Sequence, residues 1–393
     1  MSIRLCCFIV VLLWLKICQA AGTDQDSLPD LLIEFRLAEL DNATPVSLEF
    51  NNHVNEFITV FSIERREAVS RIIGLSELYF PIIEEILDRH SLPHEIKYLA
   101  IIESALDPRA VSSSGAIGLW QFLLHTARMF DLEVNSYVDE RRDVFKSTEA
   151  AARYMAYLYE MFGDWHLVFA AYNSGPGVVR NAIERAGGSR NYWELRKYLP
   201  EQSQRFIPAY IAINYIMHYY EDYQIAPLEA EYSFQDIDTL HISRSLSLRQ
   251  VSGELNIPLE TLRFLNPVYR LDYIPGNDSS DYLVLPSVYV PSFLKNMERI
   301  YASGIDNSLH NIHRADADSG LIRITHRVKA GEFIHKIAIM YGTLSSYIME
   351  WNKLDNDLIY EGQELEIWVS PEMMRRSDDT TPLFIDYDAG TDQ

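Results

Sequence analysis

Glu103 is the residue of this sequence best suited to acid–base chemistry. It follows the apolar residues 100–102 and lies just before Ala105 and Leu106, and no lysine or arginine lies within four positions on either side. Apolar surroundings disfavour the charged form of a carboxyl group and raise its pKa. Because a protonated carboxyl group can donate its proton to a leaving group, we predict that Glu103 is a general acid rather than a solvent-exposed glutamate at a helix end.

Two glycine-containing motifs after Glu103 are candidates for the walls of a binding groove. In SSSGAIGLWQF, residues 112–122, the glycines permit tight turns, and the Gln121 amide can both donate and accept hydrogen bonds. Trp120 in this motif fits a core position as well as a flat ligand platform. In AYNSGPGVV, residues 171–179, Tyr172 and Asn173 precede a Gly-Pro-Gly turn, and the plain structural alternative is a helix followed by a turn.

The elements that position these motifs are predicted to be helices. From about residue 47 to 224 the apolar residues recur three and four positions apart, which is typical of amphipathic helices. Pro93 fits the first turn of a helix that carries Glu103, and Asp107 before Pro108 ends that helix. Glu103 is therefore expected in or near the last turn. After Tyr223, short apolar runs and prolines indicate small mixed α+β modules.

Composition shifts divide the chain into seven predicted segments. They are a secretory signal at 1–20, a polar lead-in at 21–47, a helical domain at 48–224, a small module at 229–286, a linker at 287–320, a second small module at 321–369 and a disordered tail at 370–393. The second module reads as strand, helix, helix, strand. Residues 240–286 and 326–368 align in their apolar spacing, with Asn266 opposite Asn352, which predicts an internal repeat.

The beginning of the chain has the pattern of a secretory signal. Arg4 precedes an apolar run at residues 5–15, and small residues follow at Ala20 and Ala21. The run is shorter than the ~20 residues that a membrane-spanning helix needs. We therefore expect export, with a periplasmic location. All three cysteines lie in this segment, so cleavage near Ala20 leaves no disulfide, and lipidation of Cys18 is the alternative.

Charge and side-chain spacing exclude several classes of ligand. The formal net charge of −22 disfavours nucleic acid as a partner. His90 and His94 have helical spacing, but Pro93 intervenes and further ligands are absent from the pattern, so we expect no metal. The glycines at 175–188 precede no lysine-serine or lysine-threonine pair, so they form no phosphate loop. No cofactor is predicted.

Together, the motifs ESALDPRAVSSSGAIGLWQF and AYNSGPGVV resemble the catalytic domain of soluble lytic transglycosylases, within the goose-type lysozyme superfamily. The resemblance covers about residues 48–224 and is closest to the D type of the membrane-bound lytic murein transglycosylases. It implies a mainly α, lysozyme-like fold in which Glu103 acts first as acid and then as base on the bond between N-acetylmuramic acid and N-acetylglucosamine. The resemblance also implies that the muramic 6-hydroxyl attacks its own anomeric carbon and leaves a 1,6-anhydro end, as in a carbon–oxygen lyase.

The resemblance also implies a set of substrate-binding residues around the glycan groove. These are Ser112, Gly115, Gly118, Leu119, Gln121, Tyr172, Asn173 and Phe206. Phe206 departs from the family, which usually has a tyrosine before the Ile-Pro pair, and Tyr210 is a conceivable replacement. Asp107 is expected to end its helix rather than to act as the second carboxylate that a hydrolase of the two-carboxylate kind needs.

The last module resembles LysM at HRVKAGE, IAIMYG and GQELEI. LysM modules bind N-acetylglucosamine-containing chains in a shallow groove between loops, so the resemblance implies a small βααβ fold that binds peptidoglycan strands. The residues expected to contact glycan are Gly331, Glu332, Tyr341, Asn352 and Gly362. The module at 229–286 matches the pattern too poorly to assign ligand contacts, and a scaffold role is as good an interpretation.

Two other functions remain open at the level of the sequence. A lysozyme-like muramidase would use water in place of the internal hydroxyl and leave reducing ends. A catalytically weakened wall-binding scaffold would keep the groove without turnover, and Phe206 in place of the family tyrosine is the sequence feature that supports it.

Overall fold

The computed structural model describes residues 28–135, 137–276, 281–303, 322–329, 332–341, 343, 345–354, 356 and 358–369. The predicted signal at 1–20, the first residues of the lead-in and the predicted tail at 370–393 lie outside these ranges. The described part is mainly helical, as predicted, and its strands all lie after residue 236. None of its helices is long and apolar enough to cross a membrane.

The helices and strands follow one another in two stretches. The first stretch is helical: α1 (Asp30–Asp41), α2 (Asn52–Thr59), α3 (Arg66–Arg89), α4 (Lys97–Ser104), α5 (Leu124–Met129), α6 (Val144–Phe162), α7 (Trp165–Ser174), α8 (Pro176–Arg185), α9 (Tyr192–Leu195) and α10 (Glu201–Tyr219). The second is mixed: β1 (Ile237–His241), β2 (Leu246–Ser247), α11 (Leu248–Leu255), α12 (Leu259–Leu265), β3 (Tyr273–Ile274), β4 (Tyr282–Pro286), α13 (Val290–Ala302), β5 (Ile322–Arg327), α14 (Ile334–Met340), α15 (Ser345–Trp351) and β6 (Glu364–Val369).

The chain forms two compact units. The first combines the described residues up to Ile73 with Asp164–Leu228, and the second combines Gly74–Gly163 with the described residues from Glu229 onward. The predicted helical domain at 48–224 is therefore shared between the two units, and the division falls within α3.

In the first unit, α10 is the central helix. It packs against α2 and α7, and every residue from Phe206 to Ile216 is buried. A helix that is surrounded by other elements needs apolar residues on all sides, which explains why this part of α10 has no polar face. Local capping fixes where its neighbours begin: the side chain of Asn51 accepts the first amides of α2, and that of Asp164 accepts an amide of α7.

The second unit contains two small βααβ modules. In the first, β1 pairs antiparallel with β4, from Ile237 opposite Pro286 to His241 opposite Tyr282, and β2 pairs with β3. In the second, β5 pairs antiparallel with β6, from Ile322 opposite Val369 to Arg327 opposite Glu364. Each module encloses its own apolar core.

The structure differs from the sequence-based prediction at the linker predicted for 287–320. Residues 290–302 form α13, which packs against α11 and buries Phe293 and Ile300 in the core of the first βααβ module. These two residues are seven positions apart, which places them on the same face of a helix. The first module therefore extends to Ala302, and residues 304–320 lie outside the described ranges.

Candidate active site

Glu103 lies in the last turn of α4, where the sequence predicted it. The helix ends abruptly because Ala105 and Leu106 both adopt left-handed backbone conformations, with φ of 54° and 61°. Their amides return to the Ile101 and Ala100 carbonyls at 2.8 and 3.4 Å. A left-handed conformation costs a non-glycine residue about 1–2 kcal/mol. Backbone strain of this kind is common at enzyme active sites, and here it begins two positions after the candidate catalytic residue Glu103.

Burial controls the protonation of Glu103. Its side chain is only partly exposed, and desolvation raises the pKa of its carboxyl group from 4.5 to about 8. The predicted cause, apolar surroundings, is thus the cause that operates in the structure. At neutral pH a carboxyl group with this pKa is mostly protonated, so Glu103 can donate a proton there and accept one after it has been deprotonated.

The loop of residues 112–122 is held beside Glu103 by the next residue along the chain. The Ser104 hydroxyl lies 2.9 Å from the Leu119 carbonyl oxygen and 3.0 Å from that of Ala100. Within the loop, Ile117 and Phe122 exchange two backbone hydrogen bonds of 3.1 Å each. Ser112 accepts the Ala116 amide with its hydroxyl at 3.0 Å and is nearly buried, so it shapes the loop from inside.

The backbone at position 118 leaves room for glycine but for no other residue. Its φ is +88°, and a Cβ added there would lie 1.8 Å from the carbonyl oxygen of Arg141. No side chain fits such a gap. Gly115 also has a positive φ, of 81°, and its carbonyl oxygen accepts a hydrogen bond from the Arg141 guanidinium at 3.3 Å. The two predicted glycines therefore set the path of the loop backbone.

Of the remaining residues of this loop, one is partly exposed and two are buried in the core. Gln121 is partly exposed, has a φ of 49° and donates its amide to the Gly118 carbonyl at 2.9 Å. Trp120 is fully buried and donates its indole N–H to Thr148, which decides in favour of core packing. The Leu119 side chain is also fully buried, which corrects the predicted substrate contact for that side chain, because a buried side chain offers no surface to a glycan.

A buried ion pair that the sequence analysis missed anchors the loop from behind. Arg141 and Asp139 are each 1% exposed, and two hydrogen bonds of 2.9 and 2.8 Å join the guanidinium to both carboxylate oxygens. Arg141 Nη1 also donates to the carbonyl oxygens of Gly115 and Phe122, at 3.3 and 3.4 Å. The run DERRD at residues 139–143 was the available signal, but a cluster of charges in a sequence usually marks a solvent-exposed face.

Other polar candidates in the second unit have structural partners. Asp107 Oδ1 accepts the backbone amide of Arg109 at 2.8 Å, so it stabilises a turn that follows α4, whereas the left-handed Ala105 and Leu106 end the helix. His90 lies next to Glu149, and His94 lies 2.7 Å from Asp88. Among the described residues, no three His, Cys, Asp or Glu side chains are arranged to hold a metal ion.

Tyr172, Asn173 and Phe206 belong to the first unit. Tyr172 and Asn173 lie at the end of α7, are partly buried, and precede Gly175, whose φ is +90°. The Asn173 side-chain oxygen accepts the Ser203 hydroxyl at 2.8 Å. Phe206 is fully buried in α10, which corrects the predicted substrate contact, since its ring is enclosed by the core. Tyr210 is also fully buried and packs on Phe169, with ring centroids 4.7 Å apart.

In the last module, most of the predicted glycan contacts hold the fold together. The carboxylate of Glu332 accepts hydrogen bonds from the His326 ring and the Lys329 amide, each at 2.8 Å. Tyr341 Oη lies 2.9 Å from the other ring nitrogen of His326. The Asn352 side chain bonds to the backbone of Ile348 and Glu366, and Gly362 has a φ of +82° in the turn before β6. Gly331 lies outside the described residues.

Comparison with known families gives three matches in chain order. The profile of the Transglycosylase SLT domain matches residues 80–194, which include Glu103, the 112–122 loop and Tyr172. The profile named Lytic transglycosylase MltD, LysM-like domain matches residues 236–302, the first βααβ module together with α13. The LysM domain profile matches residues 326–368, the second βααβ module.

The chain is also similar to individual proteins. The membrane-bound lytic murein transglycosylase D of Escherichia coli (strain K12) is 28% identical over 299 residues, which are 75% of this chain and 64% of the relative. The soluble lytic murein transglycosylase of Escherichia coli (strain K12) is 34% identical over 91 residues, 22% of this chain and 14% of the relative. A crystal structure of the 70 kDa soluble lytic transglycosylase from Escherichia coli matches 39% of this chain and 27% of that chain, at 23% identity and a TM-score of 0.31.

The chain therefore spans slightly less than two thirds of the length of the D-type relative, and it contains a transglycosylase SLT domain followed by a LysM-like domain of the MltD type and a LysM domain.

Proposed function

We propose that this protein is a peptidoglycan lytic transglycosylase that cleaves the β-1,4 bond between N-acetylmuramic acid and N-acetylglucosamine. The observation that carries the proposal is the Glu103 carboxyl group, whose pKa burial raises to about 8 within the segment that matches the SLT profile. Such a group is protonated at the pH at which it must act. The similarity to the membrane-bound lytic murein transglycosylase D supports the same substrate.

In the proposed reaction, Glu103 donates its proton to the glycosidic oxygen as the bond to the anomeric carbon breaks. The resulting carboxylate then takes the proton of the muramic 6-hydroxyl while that oxygen bonds to the same anomeric carbon. The proton that leaves the enzyme in the first step thus returns in the second, and no water is consumed. Because the nucleophile belongs to the substrate itself, its attack has the orientation advantage of an intramolecular reaction.

Three further side chains are proposed to position the sugar. Gln121 is partly exposed on the 112–122 loop, and Tyr172 and Asn173 lie at the end of α7, so these side chains are the proposed glycan contacts. Asp107 forms a turn with Arg109 and is not a candidate for the second carboxylate of a hydrolase. This supports the transglycosylase over the muramidase.

The LysM domain is proposed to hold the enzyme on the cell wall. The proposed glycan surface is the loop before β6, where Leu358 and Tyr360 are 58% and 65% exposed. Export to the periplasm is proposed from the signal pattern at residues 1–20 and agrees with a wall substrate. Lipidation of Cys18 would tether the enzyme to a membrane and is the alternative to cleavage near Ala20.

Product mass tests the proposed reaction. Sacculi digested with the full chain should yield muropeptides that are one water lighter than hydrolysis products, and Glu103→Gln should abolish them. Glu103→Gln is the appropriate variant because it keeps the shape of the side chain and removes the proton. Products with reducing ends would contradict the transglycosylase and support a muramidase, and intact sacculi with a folded wild-type protein would support the scaffold.

A further inference from the structure

The LysM-like domain, residues 236–302, packs against residues 135–143 of the segment that matches the SLT profile, and we call residues 135–143 the catalytic segment. Val138, which precedes the buried Asp139–Arg141 pair, is 7% exposed and belongs to the apolar core of this domain. Backbone hydrogen bonds flank it on both sides. The Asp139 amide donates to the Val268 carbonyl at 3.0 Å, and the Arg270 amide donates to the Tyr137 carbonyl at 2.9 Å. The two segments thus pair like short antiparallel strands.

Arg270 extends this contact with its side chain. Its guanidinium donates to the Asn135 carbonyl oxygen at 3.1 Å and to the Thr343 carbonyl oxygen in the LysM domain at 2.7 Å. Burial lowers the pKa of Arg270 to about 10, so the group remains charged at neutral pH. One side chain therefore joins the catalytic segment and both small domains.

The contact continues from Asp139 to the loop beside Glu103. Both carboxylate oxygens of Asp139 accept hydrogen bonds from the Arg141 guanidinium, and Arg141 in turn donates to the Gly115 and Phe122 carbonyl oxygens of the loop. The Leu119 carbonyl of the same loop accepts the Ser104 hydroxyl. A continuous series of hydrogen bonds thus runs from the LysM-like domain to the residue after Glu103.

A second contact reaches the same segment from β4. The Tyr282 hydroxyl donates to Asp143 Oδ2 at 2.6 Å, while Asp143 Oδ1 accepts the Lys146 amide and so caps the start of α6. The segment between Asn135 and Asp143 is therefore held at both ends by the LysM-like domain.

The residues that follow α12 form the surface that contacts the catalytic segment. Val268 and Tyr269 are 3% and 7% exposed. The Val268 carbonyl accepts the Asp139 amide, and Tyr269 forms a bridge with Val138, so this surface of the LysM-like domain is in contact with the catalytic segment.

We propose that the LysM-like domain is a positioning element of the active site, which holds the 112–122 loop beside Glu103 through Arg270, Asp139 and Arg141. The inference rests on the proposed function for its effect on catalysis, and on the hydrogen bonds alone for its effect on the loop. These residues act through the loop and do not touch the reacting atoms.

The test compares Arg270→Ala with a matched control in the full chain. Asp272→Asn is the control, because Asp272 binds Arg263 at 2.7 Å through both oxygens within the same domain and lies outside the described series of contacts. We expect Arg270→Ala to speed amide hydrogen exchange at Ile117 and Phe122 roughly tenfold, and Asp272→Asn to leave it unchanged. Arg270→Lys, which keeps the charge and one hydrogen bond, should restore part of the protection.

Kinetics on a soluble glycan fragment supply the second measurement. Arg270→Ala and Asp139→Asn should lower kcat/KM on the order of tenfold, since both displace the loop that carries Gln121, the proposed glycan contact, beside Glu103. Binding to sacculi should be unchanged. Equal exchange at Ile117 and Phe122 in Arg270→Ala and wild type would overturn the inference. If the wild type yields no anhydro product, the proposed function fails, and the exchange result still decides whether the loop is held.

Discussion

Asn266 and Asn352 make the same three hydrogen bonds in the two βααβ modules. Each side chain donates to the carbonyl four residues earlier, at 2.8 Å, and to a carbonyl of the last strand, at 2.8 Å, and accepts the amide of that same strand residue at 2.7 Å. The strand residues are Val284 and Glu366. The side-chain amide thus fastens the second helix of each module to its final strand. The internal repeat predicted from the apolar spacing agrees with this geometry.

Replacing these asparagines should affect different functions. Asn352→Ala removes two hydrogen bonds to the exposed backbone groups of Glu366 and should destabilise the LysM domain by about 1–2 kcal/mol, because one hydrogen bond contributes ~0.5–1.5 kcal/mol. Retention on sacculi should fall, while cleavage of soluble fragments stays near the wild-type rate. Asn266→Ala should instead slow cleavage, since its domain holds the catalytic segment. A pull-down and a rate measurement on both variants check this, and equal loss of activity would contradict it.

Gly118 should tolerate no side chain. Gly118→Ala places a methyl group against the Arg141 carbonyl oxygen at a positive φ, and we expect a loss of about 3–5 kcal/mol in the free energy of unfolding. Gly177→Ala in α8 is the control, because nothing lies within 4 Å of an added Cβ there. That change should stabilise the protein by about 0.5–1 kcal/mol, as alanine favours a helix over glycine. Denaturant unfolding of both variants provides the measurement, and similar effects would contradict the close approach.

Burial of Glu103 should make the protein less stable as the pH rises. Its folded pKa of about 8 lies above the ordinary value of 4.5, so the native state binds a proton more tightly than the unfolded chain does. The resulting loss of stability develops between about pH 4.5 and 8. Glu103→Gln removes it and should stabilise the protein at pH 8 by on the order of 2 kcal/mol, given ~1.4 kcal/mol for each pKa unit and some screening by solvent. At pH 4 the two proteins should unfold alike, and a constant difference across this range would contradict the raised pKa.

The sequence predicted what depends on local spacing. The helical period, the location of Glu103 in the last turn of α4 and its apolar neighbours are all local, and the structure agrees with them. Asp139 and Arg141 are two positions apart, but their burial depends on contacts with the segment at Val268, more than 100 positions away, so the local pattern indicates an exposed cluster of charges. Phe206 was predicted to contact substrate from its motif, but α10 is surrounded by other helices and encloses its ring.

The helix within the predicted linker at 287–320 had a local signal in the sequence that was overlooked. Phe293 and Ile300 lie on one face of a helix, and both are buried against the LysM-like domain. These are the two buried residues of α13, so the apolar face of this helix is narrow and most of its surface is polar or exposed. A short amphipathic helix of this kind is easily taken for a polar connection.

The pH dependence of kcat/KM on a soluble glycan fragment tests the central claim most directly, because this ratio reports the ionisation of the free enzyme. Glu103 must be protonated to donate, so the rate of anhydro-product formation should stay high through neutral pH and fall as the pH rises through about 8. A rate that already falls between pH 4 and 5, with no decline near pH 8, would mean that Glu103 ionises like an exposed carboxyl group, and it would contradict the mechanism proposed for this site.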